Sequence, residues 1–246
     1  MQYPDKLGLA VVVGIMLTVV AFLYRQIASC SGGWRLYILH VIARVYSPFV
    51  FGLRISSRCP IPVSGEALLI ANHRSPVDPM MILATNPVRS NGYCIRVVEF
   101  LTAKEYTALG GPIGFICDVM RCIPVARDGK DMEPAKEALR RLKQGKVVGV
   151  FPEGRINSGE GVLPAIPGMA WLALRAHLPV YPVFIHGAPG LTNMIAPFVT
   201  FTKVSVTYGE PIDLSAFYGR RPTQDLLQEV AEVLRSRLAA LELQRN

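Results

Sequence analysis

The chain has 246 residues, 51% of them apolar, and its 26 Lys and Arg against 18 Asp and Glu give a formal net charge of +8. This length supports one sizeable core with an appendage, and the mixture of apolar and charged residues excludes a disordered chain and a polytopic membrane protein. The positive charge favours an anionic partner such as a membrane surface, because no zinc-ligand spacing, aromatic RNA-binding signature or basic groove-reading helix points to nucleic acid.

The N-terminal residues 7–24 form an uncharged apolar run, at the short end of the length that spans a bilayer as a helix. A secretory signal is the alternative, but no small-x-small cleavage site follows the run cleanly. We therefore predict a retained membrane anchor.

The charges after this run indicate how the anchor is oriented. No acidic residue occurs within 7–65, while five arginines follow the run: Arg25, Arg35, Arg44, Arg54 and Arg58. Arginines so close to an anchor favour the cytoplasmic side and contact with anionic headgroups. Residues 34–46 are predicted to form a second helix with aromatic residues typical of an interface. It either lies in the interface, pairs with the first helix, or packs on the soluble domain.

Beyond Glu66 the sequence is typical of a soluble α/β domain, with short apolar runs alternating with helical patterns. This alternation predicts a largely parallel central sheet flanked by helices. The predicted strands are 67–70, 93–98, 122–125, 147–151, 180–185 and 204–208. The predicted helices are 76–85, 132–144, 168–177 and 223–243. The Gly- and Pro-containing segment 186–201 is predicted to be a loop. We assign 1–58 to the anchor and interfacial helix, and 59–246 to the α/β domain.

Motifs of several other chemistries are absent from the sequence. There is no Gly-x-Ser-x-Gly elbow, His-Glu-x-x-His, P-loop or dinucleotide fingerprint. The five cysteines include no Cys-x-x-Cys pair, which argues against a disulfide framework or metal site and favours a reducing compartment.

A histidine and a carboxylate follow the first strand of the α/β domain, in the stretch 71–79. Ser75 suits a helix N-cap, Pro76 the first helical position, and Asp78 the positively polarised first turn. His73 would then lie in the strand-to-helix turn near Asp78, the arrangement of a general base and its orienting partner. Taken alone, the pattern also fits a capping box with an ordinary turn histidine.

Three further clusters follow other predicted elements. Lys104, Arg121 and Arg127 could bind phosphate, although alone they also fit solvated surface residues. The strand 147–151 runs directly into Pro-Glu-Gly-Arg, where Gly154 allows close approach of a ligand or a positive φ, and Arg155 could hold an anion. A proline-flanked strand start at 179–183 is by itself a packing feature.

In this order and spacing, the motifs resemble those of the glycerolipid acyltransferase superfamily. The resemblance is greatest to the 1-acylglycerol-3-phosphate acyltransferases and related lysophospholipid acyltransferases. The family's Asn-His-x-x-x-x-Asp is matched by Asn72, His73 and Asp78, and its Phe-Pro-Glu-Gly by residues 151–154.

The remaining two motifs of the family are matched as well. The family's lysine-containing segment is matched by Lys104, and the hydrophobic block ending in arginine that follows it is matched by residues 123–127. The family's proline-flanked strand is matched by residues 179–183. The resemblance covers about 68–183, and the family also has an N-terminal anchor.

The resemblance implies transfer of a fatty acyl group from acyl-CoA or acyl carrier protein to the hydroxyl of a lysophospholipid, in the first place 1-acylglycerol-3-phosphate. It implies His73 as the base and Asp78 as its partner. Arg127 and Arg155, with Lys104, would hold phosphate. Glu153 would contact the acceptor's hydroxyl or fix Arg155, or else orient the loop that continues through Gly154.

The implied partners are membrane lipids and the acyl donor, which serves as co-substrate in place of a cofactor. No metal and no nucleic acid are expected. The domain 59–246 would be catalytic and lie on the cytoplasmic face of the membrane.

Two departures from the family pattern keep the acceptor open. Arg155 directly follows Gly154, where the family usually has an intervening threonine, and Pro167-Gly168 replaces a frequent Lys-Gly pair. A lyso-ornithine lipid, a glycolipid or lysophosphatidylethanolamine are alternative acceptors. A non-catalytic lipid-binding protein is the alternative outside the enzymes, although such a protein would not need a base.

Overall fold

The structure is a computed structural model that describes residues 6–30, 32–57, 59–62, 64–86, 95–126, 131–190 and 195–244. The helices are α1 (Lys6–Ser29), α2 (Gly33–Phe51), α3 (Asp78–Thr85), α4 (Lys104–Thr107), α5 (Gly111–Val119), α6 (Glu133–Lys143), α7 (Pro167–Ala176), α8 (Ala196–Val199) and α9 (Gln224–Glu242). The strands are β1 (Arg54–Ile55), β2 (Ala67–Ala71), β3 (Val98–Ala103), β4 (Ile123–Val125), β5 (Val147–Val150), β6 (Val180–His186) and β7 (Ser205–Tyr208).

Over the described ranges, seven strands form one sheet in the order β1-β7-β6-β2-β5-β3-β4. The central strand β2 pairs in parallel with β5 and with β6, and β6 pairs antiparallel with β7. Every residue of β2 is buried, as expected for a continuous apolar strand covered on both faces of a parallel sheet. The predicted α/β class with a largely parallel sheet is confirmed.

Helices cover both faces of this sheet. Leu69 of β2 belongs to a core with α2 and α3, whereas Leu68 and Ile70 belong to a second core with α6, α7 and α9. This alternation follows from the strand geometry, in which successive side chains point to opposite faces. Helices thus cover both faces of the sheet, which leaves the carboxyl ends of its strands as the place for a site.

The predicted strand 93–98 is wrong, because residues 95–97 are not strand and β3 begins only at Val98. Residues 93 and 94 lie outside the described part. The acidic Glu99 interrupts the apolar pattern that the prediction followed. It is nevertheless buried, because Arg141 of α6 donates to its Oε2 at 2.7 Å. A buried acid of this kind is stable only with such a partner.

The structure also contains three short helices that the sequence did not predict, of which α4 directly follows β3. Helix α5 lies between β3 and β4 and starts with Gly111-Pro112, residues that favour loops but that also suit a first helical turn. Helix α8 lies inside the predicted loop 186–201, of which residues 191–194 are outside the described ranges.

The N-terminal helices extend beyond their predicted bounds. The 21-residue segment Gly8–Ala28 of α1 has a mean hydropathy of 2.1 and no buried residue, so it is long and apolar enough to cross a membrane. Helix α2 continues through Pro48 to Phe51. The boundary at residue 58 stays a prediction, although the preceding strand β1 already pairs with β7 of the sheet.

Helix α2 has two different faces, and one of them packs on the domain, as one of the predicted alternatives has it. One face, including Leu36, His40 and Ala43, is buried against the domain. The other face exposes large apolar side chains at helical spacing: Trp34, Ile38, Ile42, Val45 and Phe49. Packing on the domain therefore leaves an apolar stripe free for the interface.

Candidate active site

The three strands β2, β5 and β3 are parallel neighbours, so their carboxyl ends meet at one edge of the sheet. His73 follows β2, Glu153 follows β5, and Lys104 follows β3. Open α/β sheets bind ligands at this carboxyl edge. The topology thus brings together residues that are up to 80 positions apart in the chain.

Asn72 fixes the point at which the chain leaves β2. Its fully buried side chain donates from Nδ2 to the Ile185 carbonyl at 3.0 Å, and its Oδ1 accepts the Ile185 N–H at 2.7 Å. The amide therefore replaces the next pair of strand hydrogen bonds and satisfies backbone groups of β6. The main chain is free to turn, and His73 leaves the sheet.

The predicted contact between His73 and Asp78 is present. Nδ1 of His73 lies 2.9 Å from Oδ2 of Asp78. The Asp78 side chain is fully buried, whereas 18% of the His73 side chain is exposed. The imidazole is thus partly exposed to solvent and contacts a buried carboxylate through Nδ1, an arrangement that suits proton transfer.

The turn around this pair differs from the prediction in one respect. Oδ2 of Asp78 accepts the backbone N–H groups of Arg74 and Ser75 at 2.7 and 2.8 Å. The Ser75 bond is half of a capping box. The other half is absent, since the buried Ser75 hydroxyl has no partner among the described residues and α3 begins only at Asp78, with Val77 as N-cap. Asp78 therefore holds the turn as well as the imidazole.

Aromatic stacking fixes the plane of the imidazole. The His73 ring stacks on Phe151, with ring centroids 4.0 Å apart and 14° between the planes. Phe151 stacks in turn on Phe100 of β3, at 5.0 Å and 12°. Sequence reasoning placed Phe151 only within a motif and missed Phe100, because a buried aromatic of a strand looks like any other core residue.

Glu153 orients the loops instead of pointing into solvent. Its Oε1 accepts the backbone N–H of His73 at 3.0 Å, and its Oε2 accepts the N–H of Leu163 at 3.2 Å. The residue is only 4% exposed, and it forms no ion pair with Arg155 in the part of the chain that the structure describes. Of the predicted roles for Glu153, the geometry therefore favours loop orientation.

Two residues that the sequence did not single out complete this framework. Asn157 donates its backbone N–H to the His73 carbonyl at 2.7 Å, and its Oδ1 accepts from Gly159 N in an Asx turn. The Arg74 guanidinium donates to the carbonyls of Gly159 and Gly161. The Asn-Ser-Gly sequence is a recognisable turn signal, but nothing local indicates that the turn packs on His73.

The structure describes two of the three predicted anion-binding residues. Lys104 and Arg155 are exposed and form no ion pair within the described ranges, so both are available to an anionic ligand at the carboxyl edge. Gly154 has a φ of +67°, the left-handed conformation that favours glycine. Arg127 lies outside the described residues.

An open cavity lies away from His73. It is an open space of about 630 Å³ beside β4 and α6, lined among others by Glu99, Arg121 and Arg141. Both arginines already pair with Glu99, at 3.9 and 2.7 Å. In the described ranges no group of three His, Cys, Asp or Glu side chains is placed to hold a metal. We therefore locate the site by its chemistry, at His73.

Comparison with known proteins extends this assignment. The family model Acyltransferase matches residues 52–186, more than half of the chain. The chain is 26% identical to the human 1-acyl-sn-glycerol-3-phosphate acyltransferase beta over 172 residues, which are 68% of this chain and 59% of the human protein. It is 24% identical to the Escherichia coli (strain K12) 1-acyl-sn-glycerol-3-phosphate acyltransferase over 245 residues, 98% of this chain and 95% of that protein.

A solved structure agrees at the level of the fold. The crystal structure of the 1-acyl-sn-glycerophosphate (LPA) acyltransferase PlsC from Thermotoga maritima matches with a TM-score of 0.64 at 20% identity, covering 86% of this chain and 80% of that one. The family match contains the His73–Asp78 pair, Glu153 and the strands that position them. The protein is thus an O-acyltransferase and belongs to the acyltransferase family, as its resemblance to the lysophospholipid acyltransferases predicted.

Proposed function

We propose that this enzyme transfers a fatty acyl group from a thioester donor to the free hydroxyl of 1-acylglycerol-3-phosphate in phospholipid synthesis. The observation that carries the proposal is the 2.9 Å contact between His73 Nδ1 and the buried Asp78 carboxylate. The acceptor is taken from the names of the human and E. coli relatives.

The reaction requires that the lipid hydroxyl lose its proton as it attacks the thioester carbonyl. Nε2 of His73 accepts this proton while Nδ1–H donates to Asp78, which keeps the tautomer fixed and stabilises the imidazolium. Stacking on Phe151 and the hydrogen bond from His73 N to Glu153 hold the ring in place. The base is therefore positioned before substrate binds.

Collapse of the tetrahedral intermediate breaks the C–S bond and releases a thiolate. A thiolate with a pKa of about 8.5, the value for cysteine, leaves with little assistance and recovers its proton from the imidazolium. Charge on the intermediate's oxygen requires donors, for which the backbone N–H groups near the start of α3 are candidates.

Lys104 and Arg155, with Arg127, would bind phosphate of the acceptor or of the donor. Arginine offers a planar fork to phosphate oxygens and lysine a mobile point charge. Their exposure and lack of an ion pair within the described ranges support this role for Lys104 and Arg155. We propose acyl-CoA or acyl carrier protein as the thioester donor.

Thiol release from acyl-CoA and from acyl carrier protein, measured with purified enzyme across a panel of lysolipids, tests the proposal. Wild type should prefer 1-acylglycerol-3-phosphate, and His73→Ala should lose about 10²–10⁴-fold in kcat. His177→Asn is the matched control, because His177 is exposed at the end of α7 and has a positive φ that asparagine tolerates. Equal activity of His73→Ala and wild type would contradict the mechanism.

Arg155→Ala tests the phosphate contact separately. Its KM for the phosphate-bearing acceptor should rise about tenfold, the equivalent of one charge-assisted hydrogen bond of about 1.4 kcal/mol. Arg237→Ala, an exposed arginine on α9, serves as control. Activity restricted to acceptors without a phosphate would contradict the roles of Arg155 and Lys104 and would favour a glycolipid or lyso-ornithine acceptor.

We also propose that the catalytic domain lies on the cytoplasmic face. Arg25, Arg35, Arg44 and Arg54 follow the uncharged apolar run 7–24 without any acidic residue before Glu66, a distribution typical of cytoplasmic flanks. Arg58, outside the described residues, belongs to the same set. Proteolysis of intact and of permeabilised cells with an impermeant protease tests this orientation, and cleavage in intact cells would contradict it.

A further inference from the structure

A second exposed apolar surface lies far along the chain from α1. Val199 and Phe201, at and just beyond the end of α8, are 63% and 78% exposed, and Ile195 before α8 is 70% exposed. On α2, Phe49 is 79% exposed. Scattered single apolar residues need no explanation, but a contiguous group of large ones marks an interaction surface. We call Phe49, Ile195, Val199 and Phe201 the α8 patch.

Hydrogen bonds between the two segments hold the patch together. The Tyr46 hydroxyl donates to the Phe198 carbonyl, and Thr202 N donates to the Val50 carbonyl at 3.4 Å. Pro197 is buried, and the partly buried Phe198 packs on the core that includes α2. The outward side chains are therefore presented on a fixed support next to Phe49.

Charge and continuity identify a lipid leaflet as the occupant. Neither 7–65 nor 195–203 contains an acidic residue, and the exposed cations Arg54 and Lys203 flank the patch. Phe49 is also the last member of the apolar stripe of α2, which begins at Trp34. Apolar side chains bordered by cations suit the boundary between acyl chains and anionic headgroups.

The position of the patch relates it to the active site. β6 ends, and β7 begins, at the same carboxyl edge from which His73 projects, because β6 is parallel to β2 and antiparallel to β7. We propose that the α8 patch inserts into the leaflet on which α2 lies, as a second membrane contact that turns the carboxyl edge towards the lipid. This inference rests on the proposed membrane location and is independent of the proposed acceptor.

Tryptophan fluorescence in the full-length protein tests the insertion. Trp34→Phe and Trp171→Phe remove the native tryptophans, and Phe201→Trp places one in the patch. In vesicles of anionic and zwitterionic phospholipid, we expect a blue-shifted emission that lipids brominated on the acyl chain quench at least twofold. Leu243→Trp is the matched control, since Leu243 is 87% exposed beyond α9 and should be quenched by aqueous iodide instead.

Two outcomes would overturn the proposal. Emission and iodide quenching equal to those of the Leu243→Trp protein would show that the patch lies in water. A blue shift without quenching by brominated lipid would place protein, such as a second copy of the chain, on the patch.

A kinetic measurement separates this proposal from the reaction itself. The double variant Val199→Ser, Phe201→Ser should raise the KM for lysolipid in vesicles several-fold, with kcat and the KM for detergent-dispersed lysolipid unchanged. An unchanged KM in vesicles would contradict the proposal while leaving the His73 mechanism intact. Loss of activity on both substrate forms would also contradict it, because the patch would then act on the catalytic step.

Discussion

Oδ2 of Asp78 is the acceptor of three hydrogen bonds, two from the turn that carries His73 and one from the imidazole itself. Its Oδ1 is buried without a partner among the described residues. One oxygen thus positions both the backbone turn that carries His73 and the His73 side chain. The geometry of the site therefore needs only an oxygen acceptor at this position, whereas its electrostatics need a negative charge.

Asp78→Asn should therefore keep the turn but lose activity. The amide oxygen can replace Oδ2 and the amide nitrogen Oδ1, but the neutral group cannot stabilise an imidazolium. We expect kcat to fall about 10²–10⁴-fold with a loss of stability of about 1–3 kcal/mol from the buried N–H₂ group. Steady-state kinetics and thermal melting measure both, with Ser75→Ala, which removes a hydroxyl without a described partner, as control. Activity within a factor of three of wild type would contradict an electrostatic role of Asp78.

Glu153→Gln distinguishes a positioning role from direct contact with the acceptor. Both oxygens of Glu153 accept backbone N–H groups, so a glutamine must turn its own N–H₂ towards one of these donors. We expect a loss of about 1–3 kcal/mol in the free energy of unfolding, together with a lower kcat. Chemical denaturation and kinetics on the same sample provide the measurement. A raised KM for the lysolipid with unchanged stability would instead indicate contact with the acceptor.

At the level of elements, the site depends on loops held by several neighbours. Three contacts fix the turn after β2. The carboxylate of Asp78 at the start of α3 and the backbone N–H of Asn157 in the loop after β5 bind the turn itself, and the side-chain amide of Asn72 binds Ile185 of β6. None of these contacts lies within one helix or strand. The position of His73 therefore depends on the packing of several elements at one edge of the sheet.

Helix α2 joins the N-terminal segment to the domain, and His40 makes this packing sensitive to pH. Burial, with a smaller contribution from the Arg44 charge, lowers the pKa of His40 from 6.5 to about 4. Between these values the unfolded state binds a proton that the folded state does not. The contribution to stability is therefore complete above about pH 6.5 and is lost as the pH falls towards 4.

For wild type, we expect this residue alone to lower the free energy of unfolding by about 1–2 kcal/mol between pH 7 and pH 5. His40→Gln should show a correspondingly flatter dependence, because glutamine does not titrate. Melting temperatures of both proteins in the same detergent at the two pH values measure the difference. Identical shifts in the two proteins would show that His40 is not buried as a neutral imidazole.

At the level of the whole molecule, α2 connects an apolar N-terminal helix to the α/β domain. Helix α1 has no buried residue in its apolar segment. Its removal should therefore affect membrane binding and leave the sheet intact.

Deletion of residues 1–32 tests this expectation. We expect most of the protein to leave the membrane fraction, with a residual binding through α2 and the α8 patch that decreases as salt is added. Sedimentation with vesicles at low and high ionic strength measures the binding, and far-UV circular dichroism checks the fold. Quantitative, salt-independent pelleting of the truncated protein would show that α1 is not the main anchor.

The sequence by itself determined the class of the fold, the apolar N-terminal helix and the pair His73 and Asp78 as a candidate site. Apolar runs alternating with helical patterns are a local signal, and so is the length of the apolar run before Tyr24. His73 and Asp78 are five residues apart, so their contact depends on one turn, and a motif can record it.

Only the tertiary structure decided how that turn is supported. The stacking of His73 on Phe151, the binding of its backbone by Glu153 and the clamp between Asn72 and Ile185 join residues 78 to 113 positions apart. The strand beginning at Val98 was misplaced for the same reason, since Glu99 is buried only because Arg141 reaches it from α6. A local sequence pattern indicates only the burial that residues close together in the sequence can produce. Contacts between distant segments follow from the order of the strands in the sheet, which no single stretch of sequence contains.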